Sequence, residues 1–156
     1  MLVVAAALIA SASMSVSAQT AANKDPLTHE SMWMMKRVGA PVPSPDGKWV
    51  VFSLVEPAYD EKDQVSDLWI VPVDGSARPR RLTFTKGGES GVAWSPDSRR
   101  IALSMDVAGN LELGIVDANG GTVQGVTSHP RVDLQPTWSR DGTSLYFASA
   151  RNGGWR

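Results

Sequence analysis

Three aspartates, Asp46, Asp97 and Asp141, each stand two residues after a serine, Ser44, Ser95 and Ser139. A carboxylate beside a hydroxyl is the raw material of acid–base and nucleophilic catalysis. Their identical surroundings, PSPDG, WSPDS and WSRDG, argue for a different role, because repeated copies serve repeated places and do not converge on one substrate. Each Asp is read instead as a turn residue whose carboxylate accepts from nearby backbone N–H groups, with Gly47 and Gly142 supplying positive φ. A second candidate, Gly88-Glu89-Ser90-Gly91, looks like a nucleophile elbow but lacks the second glycine at its required spacing. Ser90 is therefore expected in a turn between strands. The two histidines, His29 and His129, stand near no plausible nucleophile in sequence, and a general base must come within about 3 Å of the group it activates. Asp60, Glu61 and Asp63 make a carboxylate-rich loop whose spacing is not that of a calcium loop. The residues thus nominate no catalytic, cofactor-binding or metal-binding group.

What positions these residues is a repeat. Ser44, Ser95 and Ser139 are 51 and 44 residues apart, and the longer interval contains the acidic insertion PAYDEKDQ, residues 57–64. LWIVPVDG (68–75) matches LGIVDANG (113–120), and Leu82-Thr83 matches Val126-Thr127. Thr83 and Thr127 each precede a tryptophan, Trp94 and Trp138, by eleven residues. Short apolar runs alternate with Gly-, Asn- and Asp-rich turns, which is the pattern of antiparallel strands. A period of roughly 40–50 residues accommodates four strands per unit. Runs such as Ile101-Ala102-Leu103 and Leu145-Tyr146-Phe147 place apolar residues on both faces, so each sheet is expected to be covered on both sides. Four-stranded sheets stacked on copies of themselves are propeller blades, and Trp94 and Trp138 have the size to fill the space between them. The fold expected is all-β: a partial β-propeller over residues 41–156, with about two full blades and the start of a third.

The 156 residues carry 15 basic and 16 acidic side chains, a net charge of −1, with 42% apolar residues. That balance excludes the electrostatic footprint of a nucleic-acid binder. The N-terminus is apolar from Leu2 to Ala12, and Val16-Ser17-Ala18 fits signal-peptidase cleavage, so residues 1–18 read as a secretory signal although no Lys or Arg precedes the apolar run. The apolar stretch is too short to span about 30 Å of hydrocarbon. Zero cysteines exclude a lipid-anchored lipoprotein, disulfides and thiolate metal sites. The protein is read as periplasmic or secreted, with no membrane span after cleavage. Residues 19–40 then supply a linker and one short helix: Thr28 is its N-cap, Glu30 suits its first turn, Lys36 and Arg37 its last, and Gly39 with Pro41 stops it. Trp33 and its neighbouring methionines are expected to be packing surface.

SPDGKWVVFS (44–53), DLWIVPVDG (67–75), RRLT (80–83) and WSPDSRRIALS (94–104) resemble the propeller repeats shared by periplasmic TolB and the N-terminal domains of prolyl oligopeptidase family serine peptidases. The lead-in THESMWMMKRVGAPVPSPDGKWVVFS (28–53), followed by the insertion and SDLWIVPVDG, resembles the start of secreted bacterial peptidases of the acylaminoacyl-peptidase and dipeptidyl-peptidase type. That resemblance implies a propeller restricting peptide access to a hydrolase domain bearing a Ser, Asp, His triad, which this sequence does not contain. It implies peptides as substrates of the intact protein and no activity for this stretch alone. The alternative is a TolB-like, non-catalytic protein-binding propeller. A third reading, weaker still, is a small propeller completed by self-association.

Overall fold

The computed structural model describes residues 26–60, 63–151 and 153–154. The signal sequence assigned to residues 1–18 lies outside the described residues, as does Glu61.

Thr28 caps the helix as expected: its hydroxyl accepts from the Ser31 amide at 3.0 Å, and Ser31 Oγ accepts in turn from the Thr28 amide at 2.9 Å. The helix is shorter than its sequence punctuation suggests. Helix α1 spans only His29–Trp33, and Arg37–Val38 already forms strand β1. The next segment competes for the chain, because β1 pairs with Val55 and Leu54 while Lys36 bonds Glu56. None of the helix residues is buried, and Met32, Trp33 and Met35 are exposed, which corrects the expectation that this stripe packs.

Eleven strands follow in three antiparallel sheets. The first contains β1, β2 (Val42–Pro43), β3 (Trp49–Glu56), β4 (Val65–Pro72) and β5 (Arg80–Arg81); β1 and β2 pair in turn along β3. The second runs β6 (Glu89–Trp94), β7 (Arg100–Val107), β8 (Asn110–Asp117), β9 (Gln124–Gly125), each strand beside the next in sequence. The third is the pair β10 (Asp133–Trp138) and β11 (Leu145–Ser149). This is the expected all-β, blade-like architecture.

Register shows why the units repeat. Val42 pairs with Val51, Ala93 with Ala102 and Thr137 with Tyr146, so equivalent residues oppose each other in all three sheets. The core draws on the first two: Val51, Leu68, Ile70, Leu82, Trp94, Ile101, Leu103 and Val116 form one buried cluster. Each such aliphatic side chain contributes about 1.5–3 kcal/mol by leaving water, so this shared burial holds the first two sheets together. The third sheet departs from the expectation of cover on both faces. Tyr146 is 65% exposed, whereas its counterparts Val51 and Ala102 are fully buried.

The sheets are tied by their tryptophans. Trp94 Nε1 donates to the Val42 carbonyl at 3.0 Å, and Trp138 Nε1 donates to the Ala93 carbonyl at 3.1 Å. Each acceptor lies two residues before the turn serine of the preceding unit, so one bond serves both junctions. Threonines close each unit: Thr83 and Thr127 hydroxyls accept from the Leu68 and Leu113 amides, both at 2.9 Å.

Between units the chain passes close to a neighbouring strand. A Cβ on Gly87 would lie 2.3 Å from the Asp106 carbonyl oxygen and 2.7 Å from Asp106 Cβ. Since the obstacle includes backbone, Gly87→Ala is expected to displace the connection and destabilise the protein by about 1–3 kcal/mol. A urea titration checks this, and an unchanged midpoint would contradict the close approach.

Candidate functional site

The three turn aspartates occupy one geometry. Ser44, Ser95 and Ser139 donate to Oδ1 of Asp46, Asp97 and Asp141, each at 2.6 Å. The same oxygens accept from the amides of Lys48, Arg99 and Thr143 at 3.0–3.1 Å. The serine oxygens accept from the amides of Trp49, Arg100 and Ser144 at 2.9–3.0 Å. Residue four of each turn has positive φ: Gly47 at 70°, Ser98 at 60° and Gly142 at 71°. Ser98 pairs this unfavourable conformation with a bond that glycine cannot make, its hydroxyl accepting from the Asp46 amide of the preceding unit at 3.0 Å. These carboxylates cap backbone donors and do not face one another across a cleft.

Hydrogen bonds from the serine, followed by backbone donors, hold Asp46, Asp97 and Asp141 below the usual carboxylate range, Asp141 at about 2. A depressed folded-state value stabilises the protein above the unfolded-state value and loses that contribution as pH falls towards the folded one. Stability is therefore expected to decline between about pH 4 and pH 2. Asn at the three positions should flatten that decline, as thermal unfolding at stepped pH would show.

The other sequence candidates do not assemble. Ser90 lies not in a turn but in strand β6, opposite Ser104, at a register shift. The shift follows from Gly91 at φ 60°, and the third sheet repeats it with Gln135 at φ 57°. The elbow look-alike is thus a bulged strand. His29 is exposed at the start of α1, and His129 Nδ1 accepts from the Arg131 amide at 3.1 Å. Among the described residues no serine hydroxyl bonds a histidine ring. Asp60 and Asp63 share the exposed insertion, where the Asp63 amide donates to the Asp60 carbonyl at 2.9 Å. No group of three potential metal-ligating residues occurs among the described residues.

Sequence reasoning missed the polar clusters at the opposite end of the strands. Four acids are almost completely buried there: Asp67, Glu89, Glu112 and Asp133. They occupy two repeat positions. Asp67 and Glu112 immediately precede the paired leucines, Leu68 and Leu113, while Glu89 and Asp133 stand five residues before the paired tryptophans. At the first junction Arg81 forms an ion pair with Asp67, donates through Nε to the Thr83 carbonyl at 3.0 Å and stacks on Phe84. Glu89 accepts from Thr85. At the second junction Arg151 grips Asp133 at 2.5 and 3.3 Å, and Glu112 accepts from Thr127 (2.6 Å), Asn110 (2.8 Å) and the His129 amide (2.8 Å). The repeat position of Arg81 is filled by Gly125 in the second unit, so the third unit's Arg151 supplies the cation there. Burial raises Asp67 and Glu89 above the ordinary carboxylate range, against the pull of Arg81 on the first and Thr85 on the second. Burial also pushes Asp133 up, but Arg151, Ser149 and Thr127 outweigh it and leave Asp133 lowered.

These junctions, with acids held between stacked sheets and one bond pattern used twice, are those of a propeller. A family model described as the TolB beta propeller domain matches residues 62–155. The chain belongs to the TolB β-propeller family. This TolB-type chain is 30% identical over 125 residues to dipeptidyl-peptidase 5 of Porphyromonas endodontalis, covering 79% of the chain and 18% of that protein. It is 40% identical over 66 residues to a TolB homologue of Chlorobium chlorochromatii, 42% of the chain and 15% of that protein. The structure of TolB from Acinetobacter baumannii superposes with a TM-score of 0.62 at 20% identity, covering 78% of the chain and 29% of that structure. The TolB-type chain spans under a fifth of the length of these two curated relatives and is related both to peptidase propellers and to TolB.

Proposed function

We infer that this chain is the N-terminal propeller portion of an exported serine peptidase of the prolyl oligopeptidase type, in which the blades restrict peptide access to a hydrolase domain encoded elsewhere in the protein. The observation that carries the reading is the likeness to dipeptidyl-peptidase 5, which extends over 79% of the chain. The lead-in and acidic insertion before the second unit support it. Chemistry would come from the hydrolase domain, and the propeller's contribution would be exclusion by size. Export would follow cleavage after Ala18.

The experiment compares the protein encoded by the full reading frame with the purified 1–156 chain on short peptides. The reading expects hydrolysis by the former, sensitive to a serine-directed inhibitor, and none by the latter. Hydrolysis by 1–156 that the same inhibitor abolishes would contradict it. Sequencing of the exported protein should find Gln19 at its N-terminus.

A TolB-like, non-catalytic binding propeller is the second reading, favoured by the 40% identity to the Chlorobium protein. It expects further blades and no hydrolase in the full reading frame, and a propeller face that captures a protein partner.

A further inference from the structure

Glu89 and Asp133 occupy the same repeat position, yet their surroundings drive them apart. Asp133 is fully buried and its carboxylate is held by a guanidinium through both oxygens. Glu89 is 4% exposed and has no such partner. Among the described residues the guanidinium at its junction is that of Arg81, which is committed to Asp67, to the Thr83 carbonyl and to the face of Phe84. Glu89 bonds Thr85 through Oε1, while its Oε2, like Oδ1 of Asp67, is buried without a hydrogen-bond partner.

The two acids lie on segments that meet across the seam. A Cβ on Gly88 would lie 3.6 Å from Ser66 Cβ, and Ser66 and Gly88 are the chain neighbours of Asp67 and Glu89. The first seam therefore buries two carboxyl groups against one positive charge. Two buried negative charges with one cation are costly, and the usual relief is to keep one acid neutral.

Among the described residues the remaining charges nearby do not supply a second cation. Glu56, on β3, adds negative charge to Asp67 and is itself bonded to Lys36. On the flanking segments Lys86 and Asp106 are exposed. Thr83 and Thr85 complete the set with hydroxyls.

We propose that Glu89 is a pH-sensitive latch on the seam between the first two blades, closing it as a neutral acid and loosening it when its proton leaves. Neutral Glu89 has an O–H to donate and adds no charge beside Asp67. Ionised Glu89 places a second negative charge in a seam whose guanidinium is already taken. The direction agrees with the upward displacement that burial, and then the neighbouring Asp67, impose on it.

The sign of the effect follows. A group that holds its proton more tightly when folded stabilises at low pH, and that contribution is lost as pH rises through the folded-state value. Over the interval in which Glu89 is ionised only in the unfolded chain, the folded-to-unfolded ratio falls about tenfold per pH unit. The window begins near the ordinary glutamate value of about 4.3 and lies above the range in which the turn aspartates act.

The test is urea unfolding of the full 156-residue chain from pH 4.5 to 9, wild type against Glu89→Gln, with Asp133→Asn as a control. Wild type should lose stability as pH rises; Glu89→Gln should flatten the slope and be the more stable protein at pH 8, and Asp133→Asn should leave the slope in place. Hydrogen exchange, corrected for intrinsic pH dependence, should show residues 65–68 and 83–89 opening with rising pH in wild type but not in Glu89→Gln. If Glu89→Gln does not fold, a carbon-13 titration of the wild-type Glu89 carboxyl decides, with a value above the ordinary one expected. Titration at or below the ordinary value, or an undiminished slope in Glu89→Gln, would overturn the proposal.

Discussion

Trp94→Ala is expected to destabilise the protein by about 3–5 kcal/mol, the usual range for deleting a buried tryptophan, and to part the first sheet from the second. Trp94 is 8% exposed, belongs to the common core with Val51 and Ile101, and donates across the junction to the Val42 carbonyl at 3.0 Å. Its removal costs apolar contact and leaves that carbonyl without its indole donor. Trp94→Phe retains most of the ring area and loses the N–H, so about 1 kcal/mol is expected. Trp138→Ala should cost less than Trp94→Ala, because Trp138 is only half-buried and the third sheet leaves Tyr146 open. Denaturant midpoints of the three variants check this order. Equal losses for Trp94→Ala and Trp138→Ala would mean that burial does not set the strength of the junction.

The second large effect concerns Asp133. Arg151→Ala removes the guanidinium that holds a fully buried carboxylate, and orphaning one member of a buried pair is far more damaging than replacing both. A fall in stability comparable to that of Trp94→Ala is expected at neutral pH. The penalty should depend on pH at this site. With Arg151 present, Asp133 is lowered, so its contribution is held at neutral pH and lost on acidification. Without Arg151 the guanidinium that opposes burial is gone, so the carboxyl moves upward and the penalty of the variant grows as pH rises through the range in which Asp133 ionises. The double variant Arg151→Ala, Asp133→Asn should recover much of the loss. Unfolding at pH 3 and pH 8 would show both effects, and an equal penalty for the single variant at the two pH values would contradict the pairing.

The features legible in the sequence were those that local chemistry dictates. Ser44, Asp46 and Gly47 announce a turn because a short carboxylate, a hydroxyl and a residue tolerant of positive φ are what it consumes, and two later copies confirm it. Thr28 announces a helix start for the same reason. The features not legible depend on partners remote in sequence. Nothing between Met34 and Arg37 forbids another helical turn; pairing with Val55 and the bond to Glu56 decide it. Ser90 was misread because a bulge glycine and a turn glycine look alike until the neighbouring strand is in place. The acids were missed because Asp67 carries no turn signal in its repeat string and Glu89 stands inside the elbow look-alike, whose serine drew the reading. Their periodic placement before Leu68 and Leu113, and before Trp94 and Trp138, was the available signal. The transfer of the cation from Arg81 to Arg151 hid it, since the second unit carries Gly125 where the first has arginine.

The docking of each sheet on its predecessor through an indole can be tested directly on the 156-residue chain by exchange of its nitrogen-15-labelled tryptophan N–H groups. Trp94 and Trp138 should exchange slowly, Trp94 the more slowly of the two, while Trp33, exposed on α1, exchanges as a free indole does. Exchange of Trp94 and Trp138 as fast as that of Trp33 would contradict the stacked-blade account.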